Sequence, residues 1–235
     1  MQIYGKNGAY GREDGGAYSG GRRTLYGRNG RAQPIVTWLL LAANILYFLF
    51  LEWNGSTQDG YFMARHGTLV AAFVQEDGEW YRLFTSFFMH FGFSHLFNNM
   101  LLLWYLGMLL EKHMGHWRFA ATYLASGLGA NFLSLIYYLK TSPYANCAGA
   151  SGAVFGVVGA MLWIVLRHRG QLEGLTSRRL LLMIFFSLYT GLTSIGINNT
   201  AHISGLAIGY VCGMSFYHGG AAVGPWLRAK LRPRS

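Results

Sequence analysis

Four side chains of this sequence have the types and settings for hydrolytic chemistry in an apolar environment. Ser151 stands in Ala148-Gly149-Ala150-Ser151-Gly152 at the head of one apolar run, and His202 in Ala201-His202-Ile203-Ser204-Gly205 at the head of another. A serine becomes a nucleophile when a base takes its proton, and histidine suits that task near neutral pH. A serine at a helix N-terminus also meets free backbone N–H groups and the positive end of the helix dipole, which favour the negative charge of a tetrahedral intermediate. His95 and Asn99 lie four residues apart, on one helical face one turn from each other, and offer neutral donors for the same charge.

Taken singly, each has a plainer explanation. A lone histidine in an apolar helix is most often a satisfied interhelical hydrogen bond, and Gly-Ala-Ser-Gly is a common packing motif. Their joint occurrence separates them from that explanation. His90, His113, His116, His168 and His218 lie near helix ends or in loops, where interfacial polarity accounts for them. Two rival hydrolytic chemistries lack their parts. A zinc protease needs His-Glu-x-x-His, which His113-Met114-Gly115-His116 does not supply, and an aspartyl protease needs two carboxylates inside the membrane, whereas Asp14, Asp59 and Asp77 all lie outside apolar runs. Two cysteines, Cys147 and Cys212, are too few for a disulfide framework or a thiolate metal site. No metal and no other cofactor is expected.

Apolar segments must position these groups. Of 235 residues, 52% are hydrophobic and 12% charged, against about 25% charged in a soluble domain. Six runs approach the roughly 20 helical residues that cross a hydrocarbon core: 35–53, 94–110, 117–139, 148–166, 179–194 and 201–217. The 179–194 run is short and contains Gly191, so it also reads as a buried helix that does not fully cross. Glu52 and Glu111 sit at helix ends, and no Asp, Glu, Lys or Arg lies well inside a run, which weakens an ion-coupled transporter.

The formal net charge of +10 is then a topology signal. Sixteen of the 19 Lys and Arg fall on the tails and the loops after helices 2 and 4, which puts both termini in the cytoplasm. Nothing resembling a nucleic-acid-binding motif accompanies the charge, so no nucleic acid partner is expected. With that orientation helices 2, 4 and 6 all start on the outer side, so Ser151, His202, His95 and Asn99 lie at one depth, although up to 107 positions apart. Gly152, Gly156 and Gly159 on helix 4, and Gly205, Gly209 and Gly213 on helix 6, have the spacing that lets membrane helices approach closely. Their contact would bring Ser151 beside His202. Residues 1–33 read as a disordered, basic, Gly-rich cytoplasmic tail without a secretory signal, 34–218 as the membrane domain, and 219–235 as a basic cytoplasmic tail. The outer loop 54–93, rich in Tyr, Phe and Trp, suits a segment folded at the membrane interface.

In combination and order these motifs resemble the rhomboid intramembrane serine proteases, in their basic six-helix bacterial form. The likeness runs from about residue 78 to 213: Trp80-Tyr81-Arg82 in the first outer loop, His90 followed by His95-x-x-x-Asn99, Gly149-x-Ser151-Gly152, and Ala201-His202-x-x-Gly205-x-x-x-Gly209. The resemblance implies an all-α, six-transmembrane-helix bundle with both termini cytoplasmic, in a bacterial plasma membrane. It implies Ser151 as nucleophile and His202 as base, with His95, Asn99 and the Ser151 N–H as oxyanion hole and Gly149, Phe155, Gly205, Gly209 and Arg82 in support. Phe155 replaces the family's usual tyrosine beneath the catalytic histidine. Tyr81 stands where the family has the tryptophan next to its arginine.

The implied activity is endoproteolysis of single-span membrane proteins near the outer boundary of the bilayer. The rival class is a silent relative that binds membrane clients without cutting them, a type that lacks the serine or the histidine, both of which are present here.

Overall fold

In the computed structural model, which describes residues 33–193 and 197–218, each apolar run is helical and the runs pack around one central helix. The long elements are α1 (Ile35–Asn54), α5 (Gly92–Leu102) continuing through a π turn (Leu103–Gly107) into α6 (Met108–Met114), α7 (His116–Thr141), α8 (Ser151–Arg167), α9 (Ser177–Thr193) and α10 (Asn199–Phe216). Three of these rods, Ile35–Asn54, Gly92–Met114 and His116–Thr141, are long and apolar enough to cross a membrane. The tails expected over 1–33 and 219–235 lie outside the described residues, apart from Gln33.

α8 sits at the centre. Twelve of its 17 residues are buried, as expected of a helix that is apolar all round. Lipid tails are as apolar as leucine, so close backbone packing must hold such helices together. A Cβ at Gly205 would land on the Gly152 carbonyl, one at Gly209 on the Gly156 carbonyl, and one at Gly159 on the Leu206 carbonyl. The two glycine stripes therefore face each other, as the spacing predicts. α7 packs on the same pair through small residues: a Cβ at Gly152 would lie 2.7 Å from Ala130 Cβ, and one at Gly156 would strike Ser126.

The 54–93 segment is a folded layer of short elements: α2 (Gly60–Arg65), β1 (Leu69–Val70), α3 (Ala71–Glu76), α4 (Arg82–Thr85) and a 3₁₀ turn (Ser86–Phe88). β1 pairs antiparallel with β2 (Asn146–Cys147), which ties the layer to the connection between α7 and α8. A second small hairpin, β3 (Gln171–Leu172) with β4 (Leu175–Thr176), joins α8 to α9. α9 corrects the reading of 179–194 as a buried helix. Only Leu180 and Ile184 on it are buried, and Phe185, Phe186, Tyr189 and Leu192 are exposed.

Glu111, read as a helix-end residue, is fully buried. Its carboxylate accepts from the Val36 and Thr37 N–H groups at 2.8 and 2.7 Å and from the Thr37 hydroxyl at 2.6 Å, and pairs with His116 Nδ1 at 2.6 Å. It thereby satisfies the open N-terminus of α1, whose preceding Pro34 supplies no side-chain cap. Neither a lone Glu at the end of one run nor Thr37 in another points to this pairing across 74 residues.

Candidate active site

Ser151 is the first residue of α8. The chain on either side of it is held by three amides that find different acceptors. Gly149 N–H donates to Ser86 O at 3.0 Å, Ala150 N–H donates to His90 Nε2 at 3.3 Å, and Val154 N–H makes the first helical bond, to Ala150 O, at 2.9 Å. Between them the Ser151 N–H is the first amide of α8 left without an acceptor among the described residues. Gly149 has φ +130, a conformation that side chains resist. A Cβ there would lie 2.7 Å from both Cε1 and Nε2 of His95 and 3.8 Å from Ser151 Oγ. Glycine thus lets the His95 ring rest against the backbone that leads into the serine.

His202 is the fourth residue of α10 and is buried. Its imidazole stacks on Phe155 with ring centroids 4.3 Å apart and planes 7° from parallel, which is the placement expected from the resemblance. His202 Nδ1 is buried with no hydrogen-bond partner. Among the described residues no carboxylate orients this ring; the Phe155 face does. α10 starts where it does because Asn198 caps it, its Oδ1 accepting from Ala201 N–H at 2.9 Å while its Nδ2 donates to Ser134 Oγ on α7 at 3.0 Å.

His95 and Asn99 lie one turn apart on α5, as their spacing predicts, and the Asn99 Nδ2 donates to His95 O at 3.0 Å. The first turn of α5 is anchored to α1: Gly92 N–H donates to Thr57 Oγ1 at 3.2 Å, and that hydroxyl donates to Glu52. His90 packs against His95 with centroids 5.2 Å apart. Its Nε2 accepts this hydrogen bond, so the ring is the neutral Nδ1–H tautomer. Burial first, and the neighbouring His95 second, push its pKa down to about 3.

Ser151, His202, His95 and Asn99 all line one cavity of about 610 Å³, with Phe155 and Asn198. Gly205 and Gly209 fix the spacing of α8 and α10 below it. Arg82 lies elsewhere, buried in the outer layer. Its guanidinium donates to Ala64 O at 2.6 Å and Thr68 O at 2.8 Å, pairs with Glu79, and lies 4.9 Å over the Phe73 ring and 5.5 Å over Tyr81. Phe73 and Tyr81 are thus its aromatic partners, and Trp80 is exposed.

The layer reaches Gly149, two residues before Ser151, through residues outside the motifs. Ser86 Oγ donates to Arg82 O at 2.6 Å, Asn131 Nδ2 donates to Ser86 Oγ at 2.8 Å, and Ser86 O takes the Gly149 N–H. Asn131, an amide in the middle of an apolar helix, carried a readable signal. Ser86 carried none.

Fold and site together define a helical membrane protein with a polar chamber that a helix-leading serine shares with a stacked histidine. Residues 77–219 match the Rhomboid domain. The chain is 35% identical over 183 residues to rhomboid protease GluP of Bacillus subtilis (strain 168), covering 78% of this chain and 34% of GluP. It is 31% identical over 189 residues to YdcA of the same strain, covering 77% of this chain and 87% of YdcA. It is also 35% identical over 140 residues to RHOMBOID-like protein 5 of Arabidopsis thaliana, covering 59% and 44%. The chain belongs to the rhomboid family. It spans about a third of GluP and less than half of the plant relative, but most of YdcA.

Proposed function

We propose that this chain is an intramembrane serine endopeptidase that cuts single-span membrane proteins near the outer boundary of a bacterial cytoplasmic membrane. In this reading the six long helices all cross the bilayer and both termini are cytoplasmic, with 1–33 and 219–235 as tails of a 34–218 protease domain. The observation that carries it is the cavity shared by Ser151 and His202, 51 residues apart in sequence, with His95 and Asn99.

Ser151 Oγ attacks the scissile carbonyl carbon as its proton passes to His202 Nε2. The Ser151 N–H and the side chains of His95 and Asn99 hold the oxyanion. Collapse breaks the C–N bond, the leaving amine takes the proton from His202, and an ester remains on Ser151. Water entering by the cavity then gives a proton to His202 and adds to the ester carbonyl. A second collapse returns the proton to Ser151 Oγ and frees the new carboxyl terminus. A transmembrane helix hides its carbonyls in its own hydrogen bonds, so substrates carry small or helix-weakening residues at the cut.

The test is labelling of Ser151 by a fluorophosphonate in detergent, together with cleavage of a reporter transmembrane substrate. Ser151→Ala and His202→Ala each abolish cleavage while purifying as folded protein, and EDTA leaves the rate unchanged. Substantial activity in either variant removes the dyad. A wild-type protein that binds substrate but neither labels nor cuts is the silent client-binding relative.

A further inference from the structure

The cavity extends beyond the groups assigned to chemistry. It is also lined by Ser94, Asn98 and Leu102 of α5 and by Ser187 and Thr190 of α9. Ser94, Asn98 and Leu102 recur at four-residue intervals, so they form a stripe beside that of His95 and Asn99. Ser94, Asn98 and Thr190 are exposed. The Thr190 hydroxyl is occupied by Ser187 O at 2.9 Å, but the Asn98 amide and the Ser94 and Ser187 hydroxyls have no partner among the described residues. An amide on a membrane-crossing helix is costly unless it faces water or something it can bond. α9 has no buried residue beyond Ile184, and its cavity end is tied back by Asn199 Nδ2 donating to Leu188 O at 3.1 Å. That wall of the cavity carries few buried residues among those described.

A substrate helix that opens for cutting frees N–H and C=O groups from their helical partners, each costly until bonded again. A primary amide supplies both donor and acceptor, and so does a hydroxyl. We propose that Asn98, with Ser187 across the cavity, is a substrate-binding element that hydrogen-bonds the peptide groups a transmembrane segment frees as it unwinds beside Ser151. The site then selects segments by the backbone that their helix-weakening residues let them expose. The substrate class comes from the protease reading above, whereas the binding element has a test of its own.

Asn98→Leu preserves volume and removes both hydrogen-bonding groups. In liposomes with a reporter single-span substrate it raises KM by about 3-fold to 10-fold, the range for losing one or two net hydrogen bonds, with kcat within about twofold. A fluorescent single-span peptide binds Ser151→Ala protein in nanodiscs, and adding Asn98→Leu weakens that binding by the same factor. Asn98→Gln recovers most of the loss, and thermal midpoints stay level. Unaltered peptide binding in Asn98→Leu overturns the proposal, as does a loss that Asn98→Gln does not recover and that follows a lowered midpoint. Should the wild-type chain fail to cleave while peptide binding still depends on Asn98, the protease reading falls and the binding element stands. Cleavage with binding indifferent to Asn98 gives the reverse.

Discussion

In the proposed mechanism Asn99 and His90 both serve the reacting centre through hydrogen bonds, at different removes. Asn99 Nδ2 donates one N–H to His95 O and keeps a second, which the proposed mechanism gives to the oxyanion. Losing one such donor typically costs about 10²-fold to 10³-fold in rate. Asn99→Ala is therefore expected to lower kcat by about 10-fold to 1000-fold with a smaller change in KM, measured by steady-state cleavage. A loss confined to KM makes Asn99 a substrate or packing residue. His90 acts one step away, holding the Ala150 N–H beside the nucleophile. Its folded pKa of about 3 lies below the unfolded value near 6.5, so the unfolded chain binds the proton first and stability drains away as pH falls from 6.5. Between pH 7 and pH 5 this one group costs about 2 kcal/mol. His90→Gln keeps an acceptor and cannot titrate, so its thermal midpoint in detergent should fall less over that interval than the wild type's. Equal falls would show that His90 is not held neutral in the folded protein.

Among the elements, the pairing of α8 with α10 sets the distance between Ser151 and His202, the proposed nucleophile and base. Their backbones touch at Gly152–Gly205 and Gly156–Gly209, with no room for a Cβ. Gly209→Val must therefore push α10 outward, and His202 with it. A displacement of about 1 Å can cost roughly 10²-fold in rate. Gly209→Val should lose at least that factor in cleavage while circular dichroism still reports a helical protein. Normal kinetics in this variant would mean that α8 and α10 do not meet at Gly209. The same seam explains why Phe155 lies beneath His202: one turn after Ser151 on α8, it points at the start of α10.

For the whole molecule, the charge distribution and the chamber must agree on which side of the membrane is which. The proposed orientation puts the outer layer, and the cavity mouth near it, outside. In a Cys147→Ser, Cys212→Ala background, Ser56→Cys in the exposed connection after α1 should react with an impermeant maleimide on right-side-out vesicles. Ser235→Cys should react only after permeabilisation. The opposite pattern would invert the topology and place the cavity at the cytoplasmic face. Glu111 closes the far end of the bundle by capping α1 from α6, while Arg82, Ser86 and Asn131 close the near end by joining the outer layer to Gly149.

The sequence by itself determined the helices and their order, because a bilayer forces apolar runs into helices. It also determined that the Gly152–Gly156–Gly159 and Gly205–Gly209–Gly213 stripes would meet, since only residues without side chains permit such contact. Only the tertiary structure decided what holds the ends of those helices. Carboxylate caps, amide bridges and the His90 bond to Ala150 join groups tens of residues apart, and a single polar residue carries no mark of its partner. The same holds for α9. Its apolar run suits a buried helix or a lipid-facing one equally well, and the neighbours it finds or lacks decide between them.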